Sequence, residues 1–384
     1  MLNEVGVYIH FPYCEKKCPY CDFNSHVTNK IEHERFLEAY KKDFDFYFSK
    51  IEKKNLHLES IFFGGGTPSL MEPFVIEKII EYIKNKFLKE GSTISKNFEV
   101  TLEANPSSFE IGKFRDFKNA GVNRISIGVQ SFVESDLKKL GRVHDKNQAI
   151  QAILHAGEIF NRLSFDLIYA RENQKIQNWR DELSFALTTF NPSHISLYSL
   201  TIEKGTEFFK MQSDGTLSIP KNQEEFYDTT NEICANFGLN RYEISNYARE
   251  NNECKHNILY WQMGQYIGIG AGAHGRIDTK NGRLATMNFN SPEKYLLSIE
   301  KNGNALQTNE VLDSKTIAME QISTGLRTIY GFQTQNIEEF VSFEKVKILE
   351  NEGIITRTNG RIIPTQKGLS LCDGIAKFIF FQPL

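Results

Sequence analysis

The sequence predicts an α/β fold in two parts: an open, partial (β/α)6 barrel, then a smaller α+β domain with the element order of a winged helix. Three observations carry this. Runs of β-branched, aliphatic and aromatic residues recur six times in the first half and alternate with longer segments of helical period, which implies parallel strands joined by right-handed crossovers. Polar and glycine residues cluster just after each run, where a parallel barrel keeps its active face. Beyond Thr206 the repeat stops, and the tail changes to helical segments followed by an Asn-Gly hairpin signal.

In chain order the strand candidates are Val5–Phe11, Leu58–Phe63, Phe98–Glu103, Arg124–Gln130, Leu163–Tyr169 and His194–Leu200. Helical period appears over Glu32–Phe48, Phe74–Phe87, Asp136–Leu140 running on to Ala156, and Asn178–Thr189. The polar segments after the strands are Pro12–Cys21, Gly64–Pro68, Ala104–Pro106, Ser131, Ala170–Gln174 and Thr201–Gly205. Six repeats are fewer than the eight that close a barrel, so a lateral cleft is expected, wide enough for something large. Residues 1–220 form this unit. Residues 221–305 read as an extension, with a helix over Asn222–Phe237 and irregular glycine- and aromatic-rich sequence from Asn240 to Arg276. Residues 306–384 read as a third unit: helical period at Ser314–Leu326 and Ile337–Glu352, then Ile354–Arg357 and Arg361–Pro364 joined across Thr358-Asn359-Gly360.

Composition narrows the function classes. With 45 Lys+Arg against 48 Asp+Glu the net charge is −3, which supplies no basic field for a nucleic acid. The winged-helix order invites a DNA-binding reading, but its second helix carries Glu344, Lys345, Lys347, Glu350 and Glu352 and so offers phosphates no basic face. No apolar run is long enough to span a bilayer, and MLNEVGVYIH has neither the basic nor the apolar region of a signal peptide, so the expected compartment is the cytosol. Six cysteines in 384 residues are no disulfide framework. Three of them, Cys14, Cys18 and Cys21, fall within eight residues and point to metal.

That spacing suits a loop wrapped around a cubane better than paired zinc knuckles. Thiolates are the ligands of Fe–S clusters, and a [4Fe–4S] cube held by three cysteines leaves one iron open. A zinc site borrowing a fourth ligand, or three buried structural cysteines, are the alternatives. Gly64-Gly65-Gly66-Thr67-Pro68 follows a strand, where absent side chains let backbone groups approach a ligand closely. Glu103, Gln130 and Asp166 stand at or near strand ends, as ligand-binding groups or as caps of the next helix. Arg142 is a candidate for a carboxylate, which a guanidinium meets bidentately.

CxxxCxxC with an aromatic, Tyr20, before the last cysteine resembles the signature of the radical S-adenosylmethionine (SAM) superfamily. The resemblance implies a [4Fe–4S] cluster on Cys14, Cys18 and Cys21, with SAM chelating the open iron and yielding a 5′-deoxyadenosyl radical on reduction. Tyr8-Ile9-His10-Phe11-Pro12, Gly64–Ser69, Glu103-Ala104-Asn105-Pro106, Arg124–Phe132, Leu140–His144 and Asp166–Tyr169 are similar to the oxygen-independent coproporphyrinogen III oxidase (HemN) family and its HemW relatives, over nearly the whole chain. By that likeness Tyr8, Gly65, Gly66, Thr67, Glu103, Gln130, Arg142 and Asp166 are SAM-binding positions. Tyr20 lies beside cluster and adenine, and Ala273 or His274 adds a backbone contact.

The likeness also divides two functions. The oxidase has a further cysteine two positions after the third; here Phe23 stands there, and only thirteen residues precede Cys14. Both features favour the heme-chaperone branch. So does His256-Asn257-Ile258-Leu259-Tyr260-Trp261, which matches its HNxxYW heme motif. His256 is then a plausible axial ligand with Cys254 as rival, and Tyr260 and Trp261 would pack on the porphyrin; the other reading makes His256 an internally bonded residue among core aromatics. The implied partners are heme and heme-acceptor proteins, with peripheral contact to membrane complexes receiving heme. Decarboxylation of coproporphyrinogen III is the rival activity. His10 reads as structural at least as readily as catalytic. One departure stands out: after Asp166-Leu167-Ile168-Tyr169, where the family has a Gly-Leu-Pro type loop, this chain has Ala170-Arg171-Glu172-Asn173-Gln174.

Overall fold

The computed structural model describes residues 3–28 and 30–381. Six parallel strands lie side by side in chain order: β1 (Asn3–Phe11), β2 (Leu56–Gly65), β3 (Thr93–Ala104), β4 (Arg124–Gln130), β5 (Arg162–Tyr169) and β6 (His194–Ser199). Alternation decides what each face does. On β1, Val5, Val7, Ile9 and Phe11 are buried in the main core with Phe36, Tyr40, Phe44 and Tyr47 of α1 (His33–Lys50), which leaves Gly6, Tyr8 and His10 on the inner face. The crossovers are α1, α2 (Pro73–Lys89), α3 (Ser108–Asn119), the pair α4 (Glu134–Lys139) and α5 (Lys146–Ile159), and α6 (Ile176–Phe190).

The expected continuous helix from Asp136 to Ala156 is two helices. Gly141 breaks it at φ +70, and a Cβ there would stand 2.6 Å from Pro19 Cδ, so the cluster loop packs into the break. Asp145 and Gln148 restart the chain with a reciprocal capping box.

The sheet extends past both edges of the six-strand unit. After α7 (Glu207–Ser213) and α8 (Gln223–Asn236) come β7 (Asn240–Arg241) and β8 (Asn246–Ala248), and β8 runs antiparallel to β6. On the opposite edge β9 (Gln265–Gly270) pairs in parallel with β1, followed by antiparallel β10 (His274–Thr279), β11 (Gly282–Asn288) and β12 (Leu306–Val311). The order is β12-β11-β10-β9-β1-β2-β3-β4-β5-β6-β8-β7. The stretch Asn240–Arg276, irregular by sequence, therefore holds structure on both margins of the cleft. Its glycines hide the strand: a Cβ at Gly268 would fall 1.8 Å from the His274 carbonyl oxygen, so β9 needs glycine where alternation would show a side chain.

Helix α9 (Lys255–Trp261) packs on β1, β2 and β9. Gly6 makes room for it, since a Cβ there would meet Leu259 Cδ2 at 2.7 Å and His256 Nδ1 at 3.0 Å. Helix α10 (Pro292–Asn302) covers α1. The C-terminal residues build a second core around Ile322, Val346, Ile362 and Ile375. It joins α11 (Ser314–Gly325), α12 (Phe343–Asn351), α13 (Gln366–Ser370) and α14 (Cys372–Ile379) to an antiparallel sheet of β13 (Phe332–Gln333), β14 (Ile355–Thr358) and β15 (Arg361–Pro364), in the order β13-β15-β14. Asn359 (φ 49) and Gly360 (φ 74) form the two-residue hairpin loop that the Asn-Gly signal predicts. The helical period at Ile337–Glu352 resolves into a 3-10 turn at Glu338–Phe340 and then α12, interrupted where Val341 bridges Phe380. No helix among the described residues is long and apolar enough to cross a membrane.

Candidate cluster and cofactor site

The cluster loop leaves β1 at Phe11 and is pinned along its length. Tyr13–Cys14 pairs with His26–Val27, the Cys21 N–H donates to the Cys18 carbonyl at 3.1 Å, and Pro19's carbonyl accepts from the Phe208 N–H at 3.0 Å. Asn24 donates from Nδ2 to the carbonyls of Ala271 (3.0 Å) and Asn290 (2.9 Å), tying the loop to the β9 side of the cleft. Cys14, Cys18 and Cys21 are free, half-buried thiols; Cys234, Cys254 and Cys372 are buried elsewhere. Burial pushes the Cys14 and Cys21 thiols up; Cys21 and Cys18 also raise Cys14, and Cys18 raises Cys21. Yet among the described residues no three Cys, His, Asp or Glu side chains converge on a point that one metal ion would fill. The three thiols stand on one loop beside each other, and the choice between a cubane and a zinc site rests on their spacing and on the family. Phe23, at the position of the oxidase's further cysteine, is exposed.

The expected glycine loop is present, but its glycines answer first to the protein. Gly65 has φ +110 and would place a Cβ 2.6 Å from the His10 ring. A Cβ at Gly66 would lie 2.5 Å from the Tyr13 carbonyl oxygen and 3.0 Å from that of Phe11. Gly66 N–H donates to Phe11 (2.7 Å) and Thr67 N–H to Tyr13 (2.8 Å), so this loop clasps the cluster loop backbone to backbone. The Thr67 hydroxyl donates to Cys14 Sγ at 3.5 Å.

Because β1 to β5 are adjacent in chain order, the strand-end residues assemble in that order across the inner face. A Cβ at Gly64 would stand 3.0 Å from the Tyr8 ring and 3.2 Å from Glu103 Oε2. One at Gly128 would stand 3.0 Å from Gln130 Nε2, 3.5 Å from Arg142 Nη2 and 3.7 Å from Asn105 Oδ1. Burial, reinforced by Asp166, pushes Glu103 up to about 8; burial pushes Asp166 up to about 6 against hydrogen bonds from Ser196 and Ser126, the latter at 3.2 Å. Two half-buried carboxyls are thus raised, Glu103 in part by Asp166, with Arg124 pulling both back down, and a cationic ligand would favour their charged forms. Tyr20 packs on Phe208 with ring centres 6.2 Å apart, at the edge of the small cluster of Leu140, Ile168, Leu200 and Leu217.

Arg142 is held within the protein. It donates to Asn105 Oδ1 (2.5 Å), the Gly128 carbonyl (2.8 Å) and Cys18 Sγ (3.4 Å), leaving only a buried Nε without a partner. The guanidinium thus donates to the Cys18 sulfur and to two oxygens of the strand ends. Asn105, quoted in the sequence motif but not singled out, is the hub. It also donates from Nδ2 to Thr67 Oγ1 (3.0 Å) and from its N–H to Glu110 (2.7 Å). Ala273's N–H and carbonyl are both spent in the β9–β10 connection, on Gly270 and Asn288, which leaves the backbone at His274 as the nearer candidate. His10 is structural: Nε2 donates to the Asn24 carbonyl (2.9 Å) and Nδ1 accepts from the Tyr8 hydroxyl (3.1 Å).

The departing loop is not solvated charge. Arg171 is buried, pairs with Glu182 and with Asp136 (2.9 Å), and donates to the carbonyls of Ile168 (2.8 Å) and Gln130 (3.4 Å). Ala170 carries φ 55, the conformation the family's glycine would adopt freely, and Gln130 carries φ 68. Arg171 therefore holds the Gln130 backbone in place from behind.

The heme-motif residues lie in a hydrogen-bonded setting. His256 is 2% exposed, with Ser60 Oγ 2.7 Å from Nδ1 and Tyr260 Oη 2.9 Å from Nε2. Its ring stacks on Phe62 at 5.1 Å, and burial drives it down to about 3. Glu99, buried at the foot of the barrel, accepts the N–H groups of Lys255 (3.2 Å) and His256 (3.3 Å) and the Cys254 thiol (3.4 Å), and pairs with Arg162 (2.7 Å). Neither His256 nor Cys254 offers a free ligand atom here: the first spends both nitrogens and the second is buried beside a carboxylate. Tyr260 and Trp261 instead face a cavity of about 530 Å³ that reaches across to α11.

A three-cysteine cluster loop, clasped by a glycine loop at the ends of six parallel strands, defines a radical SAM protein, and the "Radical SAM superfamily" profile matches residues 8–186. Such a protein holds a [4Fe–4S] cluster and SAM. Heme chaperone HemW of Buchnera aphidicola (subsp. Acyrthosiphon pisum, strain APS) is 38% identical over 384 residues, covering 97% of this chain and 98% of that one. The mitochondrial radical S-adenosyl methionine domain-containing protein 1 of Dictyostelium discoideum is 34% identical over 97% of this chain and 93% of its own. The chain belongs to this HemW family. Among solved structures, the radical SAM enzyme coproporphyrinogen III oxidase (HemN) from Escherichia coli superposes with a TM-score of 0.77 over 98% of this chain and 90% of that one, at 20% identity, a likeness of fold.

Proposed function

We propose that the protein is a heme chaperone: it carries one [4Fe–4S] cluster and SAM, binds heme, and passes heme to acceptor proteins. The carrying observation is the end-to-end agreement with a HemW protein, 98% of which is covered. When bound, cluster and SAM supply one-electron chemistry at the open face of the barrel. In this reading Cys14, Cys18 and Cys21 hold the cluster, with Arg142 and Thr67 donating hydrogen bonds to two of the three sulfurs. Tyr8, Gly65, Gly66, Thr67, Glu103, Gln130 and Asp166 shape the SAM pocket. The raised Glu103 and Asp166 carboxyls meet the cationic end of SAM, and Tyr20 backs the adenine. Open thiols and an Fe–S cluster call for a reducing compartment, here the cytosol.

The test is anaerobic reconstitution followed by two assays on the same protein: titration with hemin and transfer to an apo-hemoprotein, and incubation with coproporphyrinogen III, SAM and reductant. Stable heme binding with transfer is expected. Decarboxylation of coproporphyrinogen III without stable heme binding would overturn the proposal in favour of the oxidase.

A further inference from the structure

Resting on the chaperone reading, we propose that heme sits in the cavity between α9, β9–β11 and α11 and that Tyr266, not the histidine of the HNxxYW helix, is its axial ligand. The cavity, about 530 Å³, is within the range of small-molecule sites. Its walls combine the aromatic faces of Tyr260, Trp261 and Tyr266 with the guanidinium groups of Arg276, Arg283 and Arg327. Flat aromatic walls fit a planar tetrapyrrole; Glu243 and Glu320 share the lining, Arg276 is held by Glu320 and Arg327 by Asp373, which leaves Arg283 as the cation for a propionate.

The hydrogen bonds select the ligand. Tyr260 is committed to His256 at 2.9 Å, and its ring lies 4.1 Å from that of Tyr266. Among the described residues the Tyr266 hydroxyl takes no hydrogen bond, although it lines the cavity. Burial and Glu320 raise that phenol, while Arg276 and Arg283 beside it pull the other way. Tyrosinate is an established type of ligand for heme iron. On binding, the O–H proton leaves to solvent as the Fe–O bond forms, and the iron stays ferric. Two polar atoms on the wall are still without partners: Glu243 Oε1, in a residue 2% exposed, and Arg283 Nε. The other Arg283 donors reach Asp278 (3.1 Å) and the Gly264 carbonyl (3.1 Å), which aims the fork. Arg276 is held by both oxygens of Glu320 at 2.8–3.2 Å.

The experiment titrates reconstituted full-length protein and its Tyr266→Phe, Met263→Leu and Arg283→Met variants with three probes: hemin, iron-free protoporphyrin IX and hemin dimethyl ester. Tyr266→Phe should weaken hemin about tenfold or more and move the Soret band, yet leave protoporphyrin IX within about twofold, which also shows the variant is folded. Arg283→Met should weaken hemin and protoporphyrin IX alike and leave the dimethyl ester unchanged. An unaltered Soret band in Tyr266→Phe, or one altered by Met263→Leu instead, overturns the ligand assignment while the chaperone reading stands. Wild-type protein that binds no hemin sinks that reading and this one with it.

Discussion

Replacing Gly66 by alanine should cost the protein its cluster before it costs it SAM. The new Cβ would meet the Tyr13 carbonyl oxygen at 2.5 Å, its carbon at 2.9 Å and the Phe11 carbonyl oxygen at 3.0 Å. All three are backbone atoms, which cannot rotate aside as a side chain could. Overpacking of this kind costs about 1–3 kcal/mol. Parting the two loops also loses the hydrogen bonds Gly66 N to Phe11 O and Thr67 N to Tyr13 O, at about 1 kcal/mol each. The sum, roughly 3–5 kcal/mol, is a large part of an ordinary folding free energy of about 5–15 kcal/mol. The cheaper response is local, with the Tyr13–Cys14 segment moving away and taking a cluster ligand with it. Iron and sulfide per chain after anaerobic reconstitution measure this, beside a thermal scan. Gly112→Ala is the control, because nothing lies within 4 Å of its Cβ and α3 is helical there; it should keep its iron and gain stability. A Gly66→Ala protein with a full complement of iron and no SAM binding would refute the reasoning, because the glycine would then serve the ligand directly.

Two further outcomes follow from the buried groups. Glu103 ionises at about 8 in the folded chain against an ordinary value of 4.5, so between those values the folded state holds a proton that the unfolded state has released. Its stabilising contribution is complete below the unfolded value and is lost as pH rises towards 8, by an upper bound of roughly 1.4 kcal/mol per unit. Cluster-free protein should melt at lower temperature at pH 8 than at pH 5, with Asp43, Glu243 and Asp166 raised in the same sense, and Glu103→Gln should remove the part of the slope nearest pH 8; a slope there that survives the substitution intact would contradict it. His256→Ala should destabilise by about 2–4 kcal/mol, through a cavity under Phe62 and a Ser60 hydroxyl left unpaired, without moving the Soret band of whatever heme it binds. A moved band at wild-type stability would restore the histidine as ligand.

How far the sequence could be read depended on whether a residue's role was local or made by distant contacts. Six strand positions were legible because alternation and turn signals are local, and the Asn359-Gly360 hairpin because its turn demands positive φ. The cysteine loop was legible as one segment because its three cysteines are close in sequence. What stayed hidden required contacts from far along the chain. Gly268 in β9 looks like a loop residue until the His274 carbonyl is seen against it. Asn105 looks like a turn residue until Thr67, Glu110 and Arg142 are found around it. The HNxxYW helix shows the same limit in reverse. Its pattern, read alone, presents a histidine and two aromatics to a ligand. Folded, α9 turns His256 inward onto Ser60 and Phe62, with Glu99 accepting the first N–H groups of the helix, while Tyr260 and Trp261 face the cavity. The motif then has a positional logic: the histidine fixes the Tyr260 hydroxyl, Tyr260 packs on Tyr266, and Tyr266 stands beside Arg276 and Arg283 on the wall that faces α11. If heme sits in that cavity, substitution of His256 or Tyr260 would disturb it through this chain of contacts, so loss of binding alone cannot identify the iron ligand, and a change in the iron's spectrum can.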